Sequence, residues 1–222
     1  MEKQISKSEQ NRQFQLSYHL AFETKPKKKN WKNIFALWNS AANGGHIRAM
    51  FYLGTCYDHG YGVRKNLHLA YNWYLKAAKL GHRDSQYNVG FFFGTGELFR
   101  KNYSKRFYCY SLAAQSGLID AQRDVGYSYF YGQGVKKNFI KAIYWYKKAA
   151  VKNDDKALNN LSLCYKYGAE VKQSDRWAKY YFLKAKKSGY KRQKINSLTV
   201  CNALNRIPAV QVCDATLLNS SA

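Results

Sequence analysis

AMFYLGTCYDHGYGVRKNLHLAYNWYLKAAKLGHRD, residues 49–84, decides the fold, because the chain restates it every 36 residues. Ala49, Ser85, Ala121 and Ala157 open four equivalent units. Counting from each start, the fifth residue is Leu53, Val89, Val125 or Leu161, and the sixth is Gly54, Gly90, Gly126 or Ser162. The ninth is Tyr57, Phe93, Tyr129 or Tyr165, and the twelfth is Gly60, Gly96, Gly132 or Gly168. A fixed period of this length is the signature of a solenoid, in which each unit packs on its neighbours. Stacked units build extended surfaces, so the period points to a binding scaffold and leaves the bound molecule open.

Within the unit the spacing reads as helix, loop, helix. Ala49, Leu53 and Tyr57 are four apart and share one helical face. Gly54, beside that face, lets a neighbouring helix approach closely, at a helix-propensity cost of about 1 kcal/mol. Gly60 and Gly62 end the helix and turn the chain, Val63 plugs the loop into the core, and Asn66 suits the N-cap of the second helix. Ala70, Trp73, Ala77 and Leu80 then form an apolar stripe, and Gly81 is a natural stop.

Working outward, residues 121–156 repeat the pattern almost completely, with Gly126, Gly132, Gly134, Asn138, Ala142, Trp145 and Ala149 in register. Residues 85–120 diverge in the loop, where Leu98 and Phe99 replace the Gly-Val pair. Residues 157–192 form a degraded last unit with Glu170 in place of a loop glycine. Residues 13–48 form a degenerate first unit whose Trp38, Ala41, Ala42 and Gly45 fit and whose first half fits poorly; residues 1–12 are a lead. Atypical end units are expected, because they cap the core. From 193 to 222 the period is lost, giving a capping segment and a loosely ordered tail. The expected architecture is an all-α solenoid of about four to five helix-loop-helix units.

Composition bounds the partner. The net charge is +24 over 222 residues, which favours nucleic acid, an anionic membrane or an acidic protein. A second account stands beside it: Lys, Asn, Tyr and Phe share AT-rich codons, and codon bias alone supplies much of such a composition. Met1–Phe14 lacks the apolar core of a secretory signal, and no run approaches the roughly 18 apolar residues of a membrane span, so a cytoplasmic location is expected. The five cysteines are irregularly placed and are expected as free thiols.

Leu53-Gly54, Tyr57, Gly60-Tyr61-Gly62-Val63, Asn66, Ala70, Trp73-Tyr74, Lys76-Ala77-Ala78 and Gly81 closely resemble the Sel-one-like repeat, and Gly132-Gln133-Gly134-Val135 through Trp145-Tyr146-Lys147-Lys148-Ala149-Ala150 resemble it again. The resemblance covers residues 13–192 and implies a right-handed superhelix of antiparallel helix pairs related to tetratricopeptide arrays. It further implies an adaptor that organises protein complexes; some bacterial members are linked to host interaction, and some lie beside toxins as immunity proteins. Asn66 departs from the Asp usual at its position. A cysteine-rich branch of the family carries a regular disulfide spacing that this chain lacks, so that branch's activities do not transfer.

Catalytic and metal constellations are not legible. The histidines form no i, i+4 pair, no Cys-x-x-Cys occurs, and the Gly-x-Gly pairs sit between helices as turn glycines. No enzyme, cofactor or metal site is expected. Two surfaces are candidates for a partner. If Ala49, Leu53 and Tyr57 face inward, then Phe51 and Thr55, Tyr87 and Phe91, Arg123 and Tyr127, and Asn159 and Leu163 point away, either to a partner or to the next unit. The second is a lysine-rich face that includes Lys147 and Lys148. The leading expectation is a non-enzymatic scaffold or adaptor, of an immunity or regulatory kind, binding an acidic protein. The alternative is a nucleic-acid-binding array that uses the lysine face.

Overall fold

The computed structural model describes residues 6–23, 25 and 29–191. They form ten α-helices in five antiparallel pairs: α1 Lys7–Phe22 with α2 Trp31–Asn43, α3 Ile47–His59 with α4 Leu67–Lys79, α5 Arg83–Thr95 with α6 Tyr103–Gln115, α7 Ile119–Tyr131 with α8 Phe139–Val151, and α9 Asp155–Tyr167 with α10 Asp175–Lys187. Each helix packs chiefly on the helices before and after it in sequence, as in a solenoid. Residues 7–12, read above as a lead, are the first turns of α1. The expected capping segment and tail lie outside the described residues.

Local chemistry fixes the helix ends. The even-numbered helices α2, α4, α6, α8 and α10 start at Asn30, Asn66, Asn102, Asn138 and Ser174, whose side chains accept the backbone N–H three residues on. They stop where the chain turns left-handed. At Gly81 (φ 86°) the N–H groups of Gly81 and His82 donate to the carbonyls of Ala78 and Ala77. Asn153 (φ 58°) does the same work after α8, because Asn tolerates that region best among residues with a Cβ.

The two layers meet through an aromatic ring laid on a glycine. A Cβ on Gly54, Gly90 or Gly126 would stand 2.7 Å from the ring of Tyr74, Tyr110 or Tyr146 respectively, all three of which are buried. The stripe expected on α4 is therefore corrected. Its buried members are Ala70, Tyr74 and Ala77; Trp73 is half-buried between repeats under Lys76, and Leu80 is exposed. Leu80 is the C-cap, where the chain has already left the helical face.

Every loop from an odd-numbered to an even-numbered helix, from the second pair on, closes with one shared hydrogen bond. The backbone N–H groups of Asn66, Asn102, Asn138 and Ser174 donate to the carbonyls of Tyr57, Phe93, Tyr129 and Tyr165 at 2.8, 2.8, 2.9 and 3.0 Å. Leu98 and Phe99 therefore change the filling of their loop rather than its closure: both pack against the core of Ala70, Tyr74, Val89 and Phe92, with the Phe99 ring 4.7 Å from that of Tyr71. Where glycine is kept, at Gly134, the loop lies so close that a Cβ would stand 2.1 Å from the carbonyl oxygen of Tyr103.

Candidate partner-binding surfaces

On the odd-numbered helices the column expected to face outward mostly joins one repeat to the next. The Phe51 ring lies 5.0 Å from that of His82, the N-cap of α5. One repeat on, the Tyr87 hydroxyl donates to Asp124 at 2.8 Å while its ring stacks on Tyr110 at 4.5 Å. One further on, Arg123 pairs with Asp120 at 2.7 Å, Asp124 at 3.0 Å and Asp154, the N-cap of α9, at 3.1 Å. Burial alone would weaken the guanidinium charge; the carboxylates of Asp124, Asp154 and Asp120 outweigh it and hold the Arg123 pKa above its ordinary value. Burial and the Asp124 carboxylate likewise raise the Tyr87 pKa, so its hydroxyl stays a donor. Thr55 donates to the Phe51 carbonyl and accepts from Tyr74. Phe91 and Tyr127 remain exposed, while Asn159 and Leu163 are half-buried.

The even-numbered helices differ in charge. Together they carry thirteen Lys and Arg against one acid, Asp175. The odd-numbered helices carry seven against six. Among the described residues, each salt bridge has its cation on an odd-numbered helix. Lys147 and Lys148 are exposed on α8, and Lys148 Nζ lies 4.8 Å from the ring centre of Tyr144 and 5.1 Å from that of Trp145. Tyr144 belongs to a row with Tyr108 and Tyr180, one per repeat and each about half exposed or more. Lysine is thus sorted by helix rather than spread evenly along the chain, and the even-numbered layer is the more positive of the two.

Sequence reasoning missed a capping role for histidine. Nδ1 of His46 accepts from Ala49 N–H at 3.1 Å, and Nδ1 of His82 accepts from Ser85 N–H at 3.3 Å. The pKa of both is lowered, first by burial. A period of 36 between two histidines at helix starts was the available signal. Cys56 and Cys164 share a buried slot in their repeats, and burial pushes both thiols up to about 12. Neither is a thiolate at neutral pH, which is the opposite of nucleophile activation.

Fold and register together identify the family. The Sel1 repeat model matches residues 47–82, 83–118, 119–154 and 155–190, and the chain belongs to the Sel1 repeat family. A Sel1 repeat protein from Oxalobacter formigenes is 29% identical with a TM-score of 0.75, covering 82% of this chain and 74% of its own. A protective antigen of uropathogenic Escherichia coli is also 29% identical, with a TM-score of 0.76 over 81% of this chain; the match spans 38% of the antigen. An immunity protein from Pseudomonas aeruginosa matches at 22% identity and a TM-score of 0.53, over 82% of this chain and 66% of its own, and shares the fold. No curated protein matches the chain. The molecule is an all-α superhelical repeat, built as an interaction scaffold. Among the described residues no helix is long and apolar enough to cross a membrane.

Proposed function

We propose that this chain is a non-catalytic cytoplasmic scaffold that holds an acidic protein partner against its even-numbered helices, in an immunity or regulatory role. The sorting of charge carries the reading: thirteen cations against one acid on that layer, beside a layer near balance. Such a surface accelerates encounter with an acidic partner, and the exposed row Tyr108, Tyr144 and Tyr180 supplies rigid aromatic contact area. The immunity or regulatory role is the part that the family resemblance supports.

The test is purification from nuclease-treated lysate at about 150 mM salt, where attraction between exposed charges is screened beyond roughly 8 Å. The expected result is one stoichiometric acidic protein that no longer co-elutes with the double variant Lys147→Glu/Lys148→Glu. Nucleic acid that persists and is stripped by rising salt would replace this reading with a second one, which Lys148 poised over Tyr144 favours by offering phosphate contact and base stacking at one place.

A further inference from the structure

The loops entering the even-numbered helices repeat a second pattern that the helices do not contain. Arg64-Lys65, Arg100-Lys101 and Lys136-Lys137 stand immediately before the N-caps Asn66, Asn102 and Asn138. The common closing hydrogen bond places the three pairs at the same point of three successive repeats. Arg64, Lys65, Arg100, Lys101 and Lys136 are exposed, and no salt bridge engages them among the described residues. Lys137 is half-buried, with Nζ 5.0 Å from the centre of the Phe139 ring. The first turns of α4, α6 and α8 hold no acid, so each pair adds to the positive end of a helix dipole. Within the three loops, residues 60–65, 96–101 and 132–137, Glu97 is the one acid, and it is exposed. The fourth loop is weaker, since Lys172 stands between Glu170 and Asp175.

Resting on the acidic-partner reading above, we propose that these three pairs form a rail for an extended, carboxylate-rich peptide segment of that partner, running across the repeats. The spacing supports it. Successive loops touch, since a Cβ on Gly134 would stand 2.1 Å from the carbonyl oxygen of Tyr103, the residue after the preceding N-cap. Across rungs about 10 Å apart, an extended chain in the polyproline II conformation rises about 3.1 Å per residue with about three residues per turn, so every third side chain returns to the same face and one carboxylate meets each rung. Three rungs take a stretch of about seven residues. Arg64 and Arg100 offer planar forks for bidentate carboxylate contact, and a shallow cleft lined by Tyr57, Val63, Arg64, Lys65, Asn66 and Leu69 borders the first rung.

Fluorescence anisotropy with the labelled peptide Glu-Gly-Ser-Glu-Gly-Ser-Glu tests the rail directly. The expected result is binding that Arg100→Glu/Lys136→Glu weakens by at least about tenfold, that Arg100→Gln/Lys136→Gln weakens less, and that Lys147→Glu/Lys148→Glu leaves within about twofold. Unchanged thermal melting of the Gln pair shows that folding is not the cause. Equal affinity for the wild type and both rail variants would overturn the proposal. So would an equally tight peptide with its three glutamates adjacent, or tighter binding of a single-stranded heptanucleotide at the same salt. Capture of an intact acidic protein that is lost with Lys147→Glu/Lys148→Glu but kept by the rail variants would leave the scaffold reading standing and remove the rail. Capture indifferent to both would remove both.

Discussion

Arg123 on α7 holds three carboxylates within 3.1 Å, whereas Lys148 on the neighbouring α8 lies over two exposed or half-exposed rings and takes part in none of the salt bridges among the described residues. The same division runs through the array. Polar side chains of the odd-numbered helices are engaged with the next repeat: Tyr87 with Asp124, Arg123 with Asp154. Cations of the even-numbered helices are exposed in number and unbalanced. Both layers fold by the same means: the helices after α1 have 13 residues and left-handed stops, and all of them but α7 start at a side-chain cap. The difference teaches that one layer sets how repeats join and the other presents the surface, so mutations in the two should separate stability from binding.

The largest effect is expected from Arg123→Ala. Its side chain is 15% exposed and that of Asp154 is 10% exposed, so removing the cation leaves carboxylates crowded in partly desolvated surroundings. The expected loss is about 3 kcal/mol in a denaturant titration, the ordinary cost of breaking a largely buried pair. Asp154→Asn keeps a good N-cap while removing the charge, so combining the two should cost clearly less than the sum. Additive costs would show that the cluster is not a joint between repeats.

Acid should discriminate the layers next. The odd-numbered helices α3 and α5 are capped by neutral His46 and His82, whereas their even-numbered partners are capped by Asn66 and Asn102, which do not titrate. Burial lowers both histidine pKa values from the ordinary 6.5, so below that pH the unfolded chain binds protons that the folded chain refuses. Stability is therefore full above pH 6.5 and falls as pH drops below it. Protonation removes an acceptor worth about 1 kcal/mol per cap. Melting curves of the double variant His46→Asn/His82→Asn should lose most of that dependence. Arg48 and Arg83 beside these rings add to the shift, and Asp84 opposes it at His82. Wild type and variant falling in parallel would place the acid sensitivity elsewhere.

A loop joining the two layers gives a smaller effect of the opposite sign. Glu170 holds φ at 51° where Gly134 holds 73° in the preceding repeat. A residue with a Cβ in that region costs about 1–2 kcal/mol, so Glu170→Gly should raise stability by about 1 kcal/mol. It also removes an acid beside Lys172 in the fourth loop, which lies outside the three-rung rail. A lower melting point would mean that the Glu170 side chain makes a compensating contact.

The sequence makes the repeat legible because turn chemistry and helical period are local: glycine where φ is positive, Asn before a helix, alanine where layers touch. Leu80 was misread because a stripe at 3 and 4 spacing does not show where the helix ends. Phe51, Tyr87 and Arg123 were legible as one column facing either a partner or the next unit, and the choice between the two rests on partners about one period away. The signal for them was complementarity across that period: Tyr87 before Asp124, Arg123 before Asp154. The sorting of charge was legible too, once lysines are counted by helix parity rather than over the chain.

Lys147→Glu/Lys148→Glu sharpens the comparison by its absence of effect. Both side chains are exposed, and their reversal should change stability by no more than about 0.5 kcal/mol. The sign carries information. A layer with thirteen cations and one acid repels itself, so reversing two charges should be neutral to stabilising at low salt, with the gain vanishing as salt rises. Destabilisation at every salt would mean that the lysines hold the fold. Neutrality combined with loss of the partner would mean that the even-numbered layer maintains a charge the fold does without, and binding is what a charge so placed can serve.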